Sequence, residues 1–600
     1  MKTPDWIVLG GTLLSIVLYG LYKGRGSSNL KGYLLADRKM RWFAVALSIM
    51  ATQASAVTFT STPGQAYVDG MRFVQFYFGL PLAMVILSIT AVPIYHKLGV
   101  YTAYEYLEHR FDVKTRTLTS IIFLIQRGLA VGITIYAPSL VLSVMLGWDI
   151  RLTSTLIGGI IIVYTTSGGV KAVNWTDVQQ MIIIMAGMVV AFVMTIVLLP
   201  KNVGFIDALH VAGGMGRLNA IDFSFDLHSR YNFWSGLVGG LFVALAYFGT
   251  DQSQVQRYLT GASVTQSRLG LLFNGMAKVP MQFFILLIGA MVFAFFQFER
   301  PPIFFNPVEV EKVRQSEHGG QFLETEQRYN QALDRKSAAA IEYVEARKLS
   351  DEGNIAITQS KFLVASHQAE EIRAEGIKIL QANDPQADTN DTNYIFLTFV
   401  MKYLPVGLVG LLFACIFAAS MSSTSGELSA LAACSVVDVY RRHINKEGEE
   451  KHYLLVSRLA MACWGVYAVF FAQYASRLGS LIEAVNILGS LFYGTMLAIF
   501  LIAFYLKWIG GTATFWAAFA GEIVVLCCYF FTSIPWLWYN VVGCVVVLAV
   551  AIVLQMFLAG RHGGAVFSSK AEPERVKTKS LIDFPMRLSS VPHTLESRSL

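Results

Sequence analysis

The sequence predicts an all-α polytopic membrane protein, and three observations carry that prediction. Of its 600 residues, 54% are hydrophobic and only 14% charged, against about 25% charged in soluble chains. Mean hydropathy is +0.52 over the whole chain. The apolar residues fall into separate runs, each near the ~20 residues that a helix needs to cross a bilayer. A soluble enzyme, a disordered hub and a secreted disulfide scaffold are thereby excluded.

The runs follow in order. Trp6 to Tyr22 reads as an uncleaved helix, because no small-residue cleavage site follows and Lys23 and Arg25 come after it. Further runs lie near 42–64, 73–97, 115–145, 152–169, 178–200, 232–255, 270–297, 395–438, 453–474, 479–506, 512–533 and 537–559, about thirteen spans in all. Loops expected inside carry Lys31, Arg38, Lys39, Arg41, Arg110, Lys114, Arg116, Arg257, Arg268, Arg441, Arg442 and Lys446. Loops expected outside are poorer in basic residues, with Arg72, Arg151, Lys201 and Arg477. The bias sets the N-terminus outside and the C-terminus in the cytoplasm. An odd number of spans agrees with it.

Two segments break the pattern. The stretch 300–393 holds 16 acidic and 11 basic residues, so the formal +7 of the chain is +12 elsewhere. Its Ala338, Ile341, Val344 and Leu349 recur at helical spacing, which predicts one or two amphipathic helices on the outer side. No heptad repeat persists long enough to predict a coiled coil. The tail 561–600 is polar and is expected to be disordered and cytoplasmic. The six cysteines all sit in apolar runs without paired spacing, as packing residues do.

Three segments carry chemistry. The run 46–64 is crowded with small and hydroxylated residues around Gln53. That pattern suits close helix packing, or a helix that unwinds and offers carbonyls to an ion. The run 413–429 holds Ser420, Ser422, Ser423, Thr424, Ser425 and Ser429 with Glu427. Its hydroxyls can bond back to their own helix, but a carboxylate in hydrocarbon needs a cavity or a partner. Two such clusters favour a site for a hard cation such as Na⁺, which prefers oxygen ligands. Between spans five and six, Gly168-Gly169 allows a tight turn. Thr176-Asp177 then opens the next apolar run, so Asp177 either caps a helix or aims into the bundle.

These segments resemble the sodium:solute symporter family, which includes sodium–glucose, proline, iodide, monocarboxylate and sialic acid carriers. The resemblance rests on Ala51–Pro63, Tyr101–Phe111, Gly168–Gln180, Ala419–Tyr440 with its closing Asp438-Val439-Tyr440 and, more weakly, Tyr247–Arg257. It covers nearly all of 1–560 outside 300–393, as a bacterial member. It implies a five-plus-five inverted-repeat core shared with the leucine transporter. The domain map is then 1–41 (extra helix and inner loop), 42–200 (first repeat), 201–299 (outer loop and two helices of the second repeat), 300–393 (soluble insertion), 394–506 (rest of the second repeat), 507–560 (two further helices) and 561–600.

The resemblance also implies residues. A common sodium site would use the carbonyls of Ala51, Ala54 and Ala419 with the hydroxyls of Ser422 and Ser423. Some members bind a second sodium, and Asp177, Ser422 and Ser425 match that pattern. Gly426 stands where those members usually have Ser. Solute contacts are expected from Gln53, Ser55, Thr58, Gln75, Tyr77 and Tyr247, the last as an aromatic gate. Arg127 and Glu427 are embedded charges outside the usual pattern. They either pair with each other or meet the solute. The expected activity is sodium-coupled import of a small polar solute (sugar, sugar acid or carboxylate) at a bacterial inner membrane. Na⁺ is the coupling ion, no other cofactor is implied, and no nucleic-acid partner is expected. The second reading is a transporter-fold sensor whose partner docks on 300–393. Catalysis has no nucleophile–base pair to support it, and a channel has no filter motif.

Overall fold

In hydrocarbon every backbone amide must find its partner within the chain, so each apolar run becomes a helix. The computed structural model describes residues 1–24, 30–226, 228–350, 352–385, 387–475 and 480–561. The polar tail beyond 561, Arg25 and Arg477 lie outside the described residues.

The first half contains α1 (Thr3–Gly24), α2 (Leu30–Leu35), α3 (Trp42–Gln53), α4 (Ala56–Asp69), α5 (Leu80–Ile89), α6 (Ala91–Leu98), α7 (Ala103–Arg110), α8 (Val113–Leu146), α9 (Ile150–Val197) and α10 (Phe205–Gly214). Then come α11 (Gly240–Gly249), α12 (Gln252–Leu259), α13 (Val264–Phe298), α14 (Pro307–Arg314), α15 (Gly319–Lys348) and α16 (Glu352–Asn383). The last are α17 (Thr392–Tyr403), α18 (Leu408–Cys434), α19 (Glu450–Ala472), α20 (Leu481–Tyr505), α21 (Gly511–Phe531) and α22 (Trp536–Arg561). Among the described residues, 10 helices are long and apolar enough to cross a membrane, or 11 with the bent pair α3–α4 as one span. A count of thirteen needs Ile150–Val163 and Ser235–Gly249 as well, which are shorter.

The core lies around α18, whose residues from Leu412 to Cys434 are all buried. It packs on α9, α8, α1, α3 and α4. Along the other side of α3 and α4 runs α13, and Gly289 lets it approach closely. A Cβ there would collide with the carbonyl oxygen of Pro63.

Four expectations need correction. The run 395–438 is not one span. It divides at Leu404–Gly407, where Pro405 follows the end of α17 and Gly407 takes φ +90°. The turn expected at Gly168-Gly169 is helical backbone, and α9 runs through it. Its polar residues are stabilised by burial against partners, as Asn174 shows below. Asp177 consequently lies within a helix and caps nothing. The insertion forms two long helices, α15 and α16, packed as a hairpin. Their period was legible and their phase in part: Val344 lies in the buried stripe with Phe322, Tyr329, Leu333 and Ala340, and Ile341 is half-buried, while Ala338 is exposed and Leu349 is 78% exposed. Cysteine behaviour is mixed, since Cys463 and Cys527 are exposed and Cys415, Cys434 and Cys544 buried.

The hairpin is clamped to the bundle. Lys336 Nζ donates to the Phe296 carbonyl at 3.1 Å and Ser337 Oγ to that of Phe298 at 3.1 Å. These are carbonyls in the last turn of α13, which lack helical partners of their own.

Candidate functional site

The site is built on the break between α3 and α4, which meet at 59°. Ala54 (φ −87°, ψ 67°) and Ser55 (ψ 170°) leave the helical region. The last turn of α3 therefore loses helical donors for its carbonyls, apart from Met50, which still accepts from Ala54 N at 2.8 Å. Ala51 belongs to that turn and is fully buried.

Ala419, Ser422 and Ser423 of α18 are buried too. Ser423 Oγ donates to the Ala419 carbonyl at 3.0 Å and Ser422 Oγ to Asp177 Oδ1 at 2.6 Å. Each hydroxyl has thus placed its proton, which leaves lone pairs for a cation. This chemistry fits the first sodium site, with carbonyl and hydroxyl oxygens as ligands. Ser425 Oγ donates to the Ser422 carbonyl at 3.0 Å.

Asp177 is the hub of a buried cluster. Its Oδ2 accepts from Ser48 Oγ at 2.5 Å, so one carboxylate ties α9 to both α3 and α18. Arg257 of α12 brings Nη1 to 3.7 Å from Asp177 Oδ2, and both side chains are 0% exposed. The same Nη1 donates to Asn174 Oδ1 at 2.8 Å, and Asn174 Nδ2 donates to Thr260 Oγ1 at 3.0 Å.

A cavity of about 90 Å³ is lined among others by Gln53, Ser55, Thr58, Tyr77, Arg127, Tyr247 and Glu427. Its size suits a small solute. Thr52, Thr134, Asn486 and Tyr493 complete its polar wall. Of the expected solute contacts only Gln75 falls outside the lining. Its amide donates to the Tyr231 carbonyl at 3.1 Å, and its oxygen accepts from Asp222 N at 2.9 Å. Gln75 therefore fastens the loop that holds Asp222 and Tyr231.

Arg127 is committed to the protein. Its Nη1 donates to Glu427 Oε1 at 3.1 Å, its Nη2 to the Tyr493 hydroxyl at 2.8 Å and to Asp251 Oδ2. Tyr493 in turn donates to Asp251 at 3.0 Å, and Thr134 donates to Glu427 Oε2 at 2.6 Å. The guanidinium also stands 5.5 Å from the centre of the Tyr247 ring. The embedded Arg and Glu do pair, and both still line the cavity.

Asp438 joins a further buried ionic cluster. It accepts from Arg116 Nε at 2.8 Å and from Thr102 Oγ1 at 2.8 Å, while Arg116 reaches Glu108 at 2.7 Å. Two of the quoted motifs thus meet in one ionic lattice.

Sequence reasoning missed Asp251, Tyr493, Asn174, Ser48 and Lys278. Asp251 and Lys278 carried a signal, since each is an ionisable residue inside an apolar run. Lys278 is fully buried with its ammonium 5.8 Å from the Tyr77 ring centre, behind the cavity wall. Tyr493 and Ser48 look like ordinary span residues until the fold brings their partners near.

Comparison with known proteins agrees with this architecture. The model of the sodium:solute symporter family matches residues 33–317 and 376–521. The unmatched gap falls within the α15–α16 hairpin. Sodium-coupled monocarboxylate transporter 1 of Xenopus laevis is 27% identical over 509 residues, 83% of this chain and 67% of that protein. Its Homo sapiens counterpart is 36% identical over 273 residues, 45% of this chain and 44% of that protein. The sodium/iodide cotransporter of Homo sapiens is 35% identical over 257 residues, 42% and 39% respectively. The chain thus matches less than half the length of these human relatives. A solved structure of a Na⁺-coupled sialic acid symporter, substrate-bound and outward-open, superposes with TM-score 0.71 at 21% identity, covering 93% of this chain and 98% of that one. It shares the fold. With the family model matching most of its length, this chain belongs to the sodium:solute symporter family.

Proposed function

We propose that the protein is a sodium-coupled symporter that imports a small polar organic solute by alternating access. The observation that carries this reading is the break at Ala54-Ser55, packed in one core with Ser422 and Ser423, whose protons are already donated. Sodium is held by the carbonyls of Ala51, Ala54 and Ala419 and the two serine hydroxyls. The solute occupies the adjoining cavity and meets Gln53, Ser55, Thr58 and Tyr77, with Tyr247 as the gate. Arg127 and Glu427 face the solute as a pair.

Coupling requires that Na⁺ bind one orientation of the site better than the other; equal affinity shifts nothing. The membrane potential adds about 2.3 kcal/mol per charge per 100 mV to inward movement. The distribution of basic residues supports a bacterial plasma membrane orientation with the N-terminus outside, the C-terminus inside and the hairpin on the outer face. The domain map follows the two repeats, 42–200 and 201–506, interrupted by 300–393.

Purified protein in liposomes tests this. A thermal-shift screen of sugars, carboxylates and amino acids, run in sodium and in potassium, selects the solute. Uptake of that solute is expected under an inward sodium gradient, and Ser423→Ala is expected to abolish its sodium dependence while the protein still inserts. Equal uptake in sodium and potassium would overturn the proposal.

A further inference from the structure

We propose that Asn274, Lys278 and Gln282 of α13 form a binding site for one small inorganic anion of chloride size, set behind the Tyr77 wall of the cavity. The site goes beyond the sodium-coupled reading and does not depend on it.

The three residues recur at every fourth position, so they share one face of α13. Each is 0% exposed. Among the described residues, no hydrogen-bond partner meets Lys278 Nζ, Gln282 Nε2, Gln282 Oε1 or Asn274 Oδ1. The Asn274 amide reaches only the Met84 sulfur, at 3.9 Å. Buried polar atoms are nearly always partnered. A whole face of them left open marks a place where something from outside the chain binds.

Charge selects the occupant. Among the described residues no carboxylate pairs with Lys278, and no charged side chain bears on it. Tyr77, with its ring centre 5.8 Å from Nζ, offers its aromatic face. An ammonium taken out of water needs a counter-charge, and none is built in here. Lys278 carries three N–H donors, and Gln282 adds an amide with two more. A face so rich in donors suits an anion and disfavours Na⁺. Helix α5 packs closely against it, since a Cβ at Gly275 would press on Met84 and Pro81. A monatomic ion fits such a seam better than an organic acid does.

The location gives the ion a task. Gly270 abuts Val45 and Ala46 of α3, while Gly289 abuts Pro63 and Ala66 of α4. Lys278 and Gln282 lie midway between, at the level of the break at Ala54-Ser55. A bound anion would neutralise Lys278 there and hold α13 against the broken helix and Tyr77.

Thermal melts of the full chain in detergent test this, with sodium and ionic strength constant while chloride replaces gluconate. Saturable stabilisation by chloride, and by bromide, is expected. Lys278→Met is expected to lose that response, while melting in gluconate no lower than the wild type. Gln282→Leu keeps the charge and is expected to weaken chloride about tenfold. Equal wild-type melting in chloride and gluconate would overturn the proposal, as would a full chloride response in Lys278→Met. Neither result touches the symporter reading, which is decided by sodium against potassium. Should Lys278→Met fail to fold, anomalous scattering from wild-type crystals grown in bromide decides: a peak beside Lys278 Nζ is expected, and its absence there would overturn the site.

Discussion

Arg257 and Arg127 are both buried in the bundle among carboxylates, and α18 touches both clusters. Around Arg257 it supplies Ser422 to the shared acid; around Arg127 it supplies Glu427. The clusters differ in closure and in balance. Arg257 and Asp177 are fully sealed, one charge of each sign. Arg127 meets two acids, Asp251 and Glu427, and lines a cavity. A sealed and balanced pair is part of the scaffold. A cluster with one acid more than its arginine, open on one side, takes its final balance from whatever enters. Position relative to the cavity thus separates a structural charge from a selective one, although the residue types are the same.

Asp177→Asn is the strongest way to break that comparison. It leaves the Arg257 guanidinium buried without its acid, a loss of about 3–5 kcal/mol for a broken buried pair. Membrane abundance, read by fluorescence size-exclusion, is expected to collapse. Adding Arg257→Gln is expected to restore much of it, and this non-additivity isolates the pairing. Normal abundance of the single variant would show that the pair is not part of the scaffold.

Glu427→Gln sharpens the other side. Arg127 keeps Asp251 and Tyr493, so the protein is expected to accumulate normally. Affinity for the solute found by screening should move about tenfold, or ~1.4 kcal/mol, with sodium affinity unchanged. Titrations of each ligand against thermal stability check this. A sodium affinity that moved as far as the solute's would merge the two clusters into one.

The smallest effect is expected outside the membrane. Burial pushes the Lys336 ammonium down to about 8, with Glu370 pulling the other way. Between pH 8 and the ordinary value of 10.5 the folded form thus binds fewer protons than the unfolded one. Stability contributed here rises with pH across that window and is flat below it. Lys336→Met should remove the slope. At pH 7 it should add about 2 kcal/mol, the relief of a buried charge less one hydrogen bond to Phe296. Thermal melts from pH 7 to 10.5 read both. Uptake is expected to stay unchanged, which marks this buried cation of the hairpin as a docking element only.

Much of this was legible in sequence where the signal is local. Apolar length gave the helices. The clustering of hydroxyls at 46–64 and 413–429 marked the two elements that hold the site. Legibility failed where meaning depends on a distant partner. Asp177 reads as a cap when the apolar run is taken to begin at Val178. Helix α9 starts far earlier because Asn174 finds Arg257 and Thr260 across the bundle. Gln75 sits near the solute-facing Tyr77 in sequence, yet its amide closes on Asp222 and Tyr231, far along the chain. The break at Pro405 was hidden because the residues on both sides are equally apolar. In the hairpin the period was set by composition, while the phase was set by which face meets α13 and the partner helix.

The way the hairpin joins the bundle frees its length from the core. Asp391, just before α17, accepts the Phe305 amide at 2.8 Å and a bidentate pair of bonds from Arg373. The chain therefore departs and returns through two feet standing side by side. A short turn between them would close the gap without shifting either flanking helix. The segment between the two feet can therefore differ in length while α13 and α17 keep their places in the bundle.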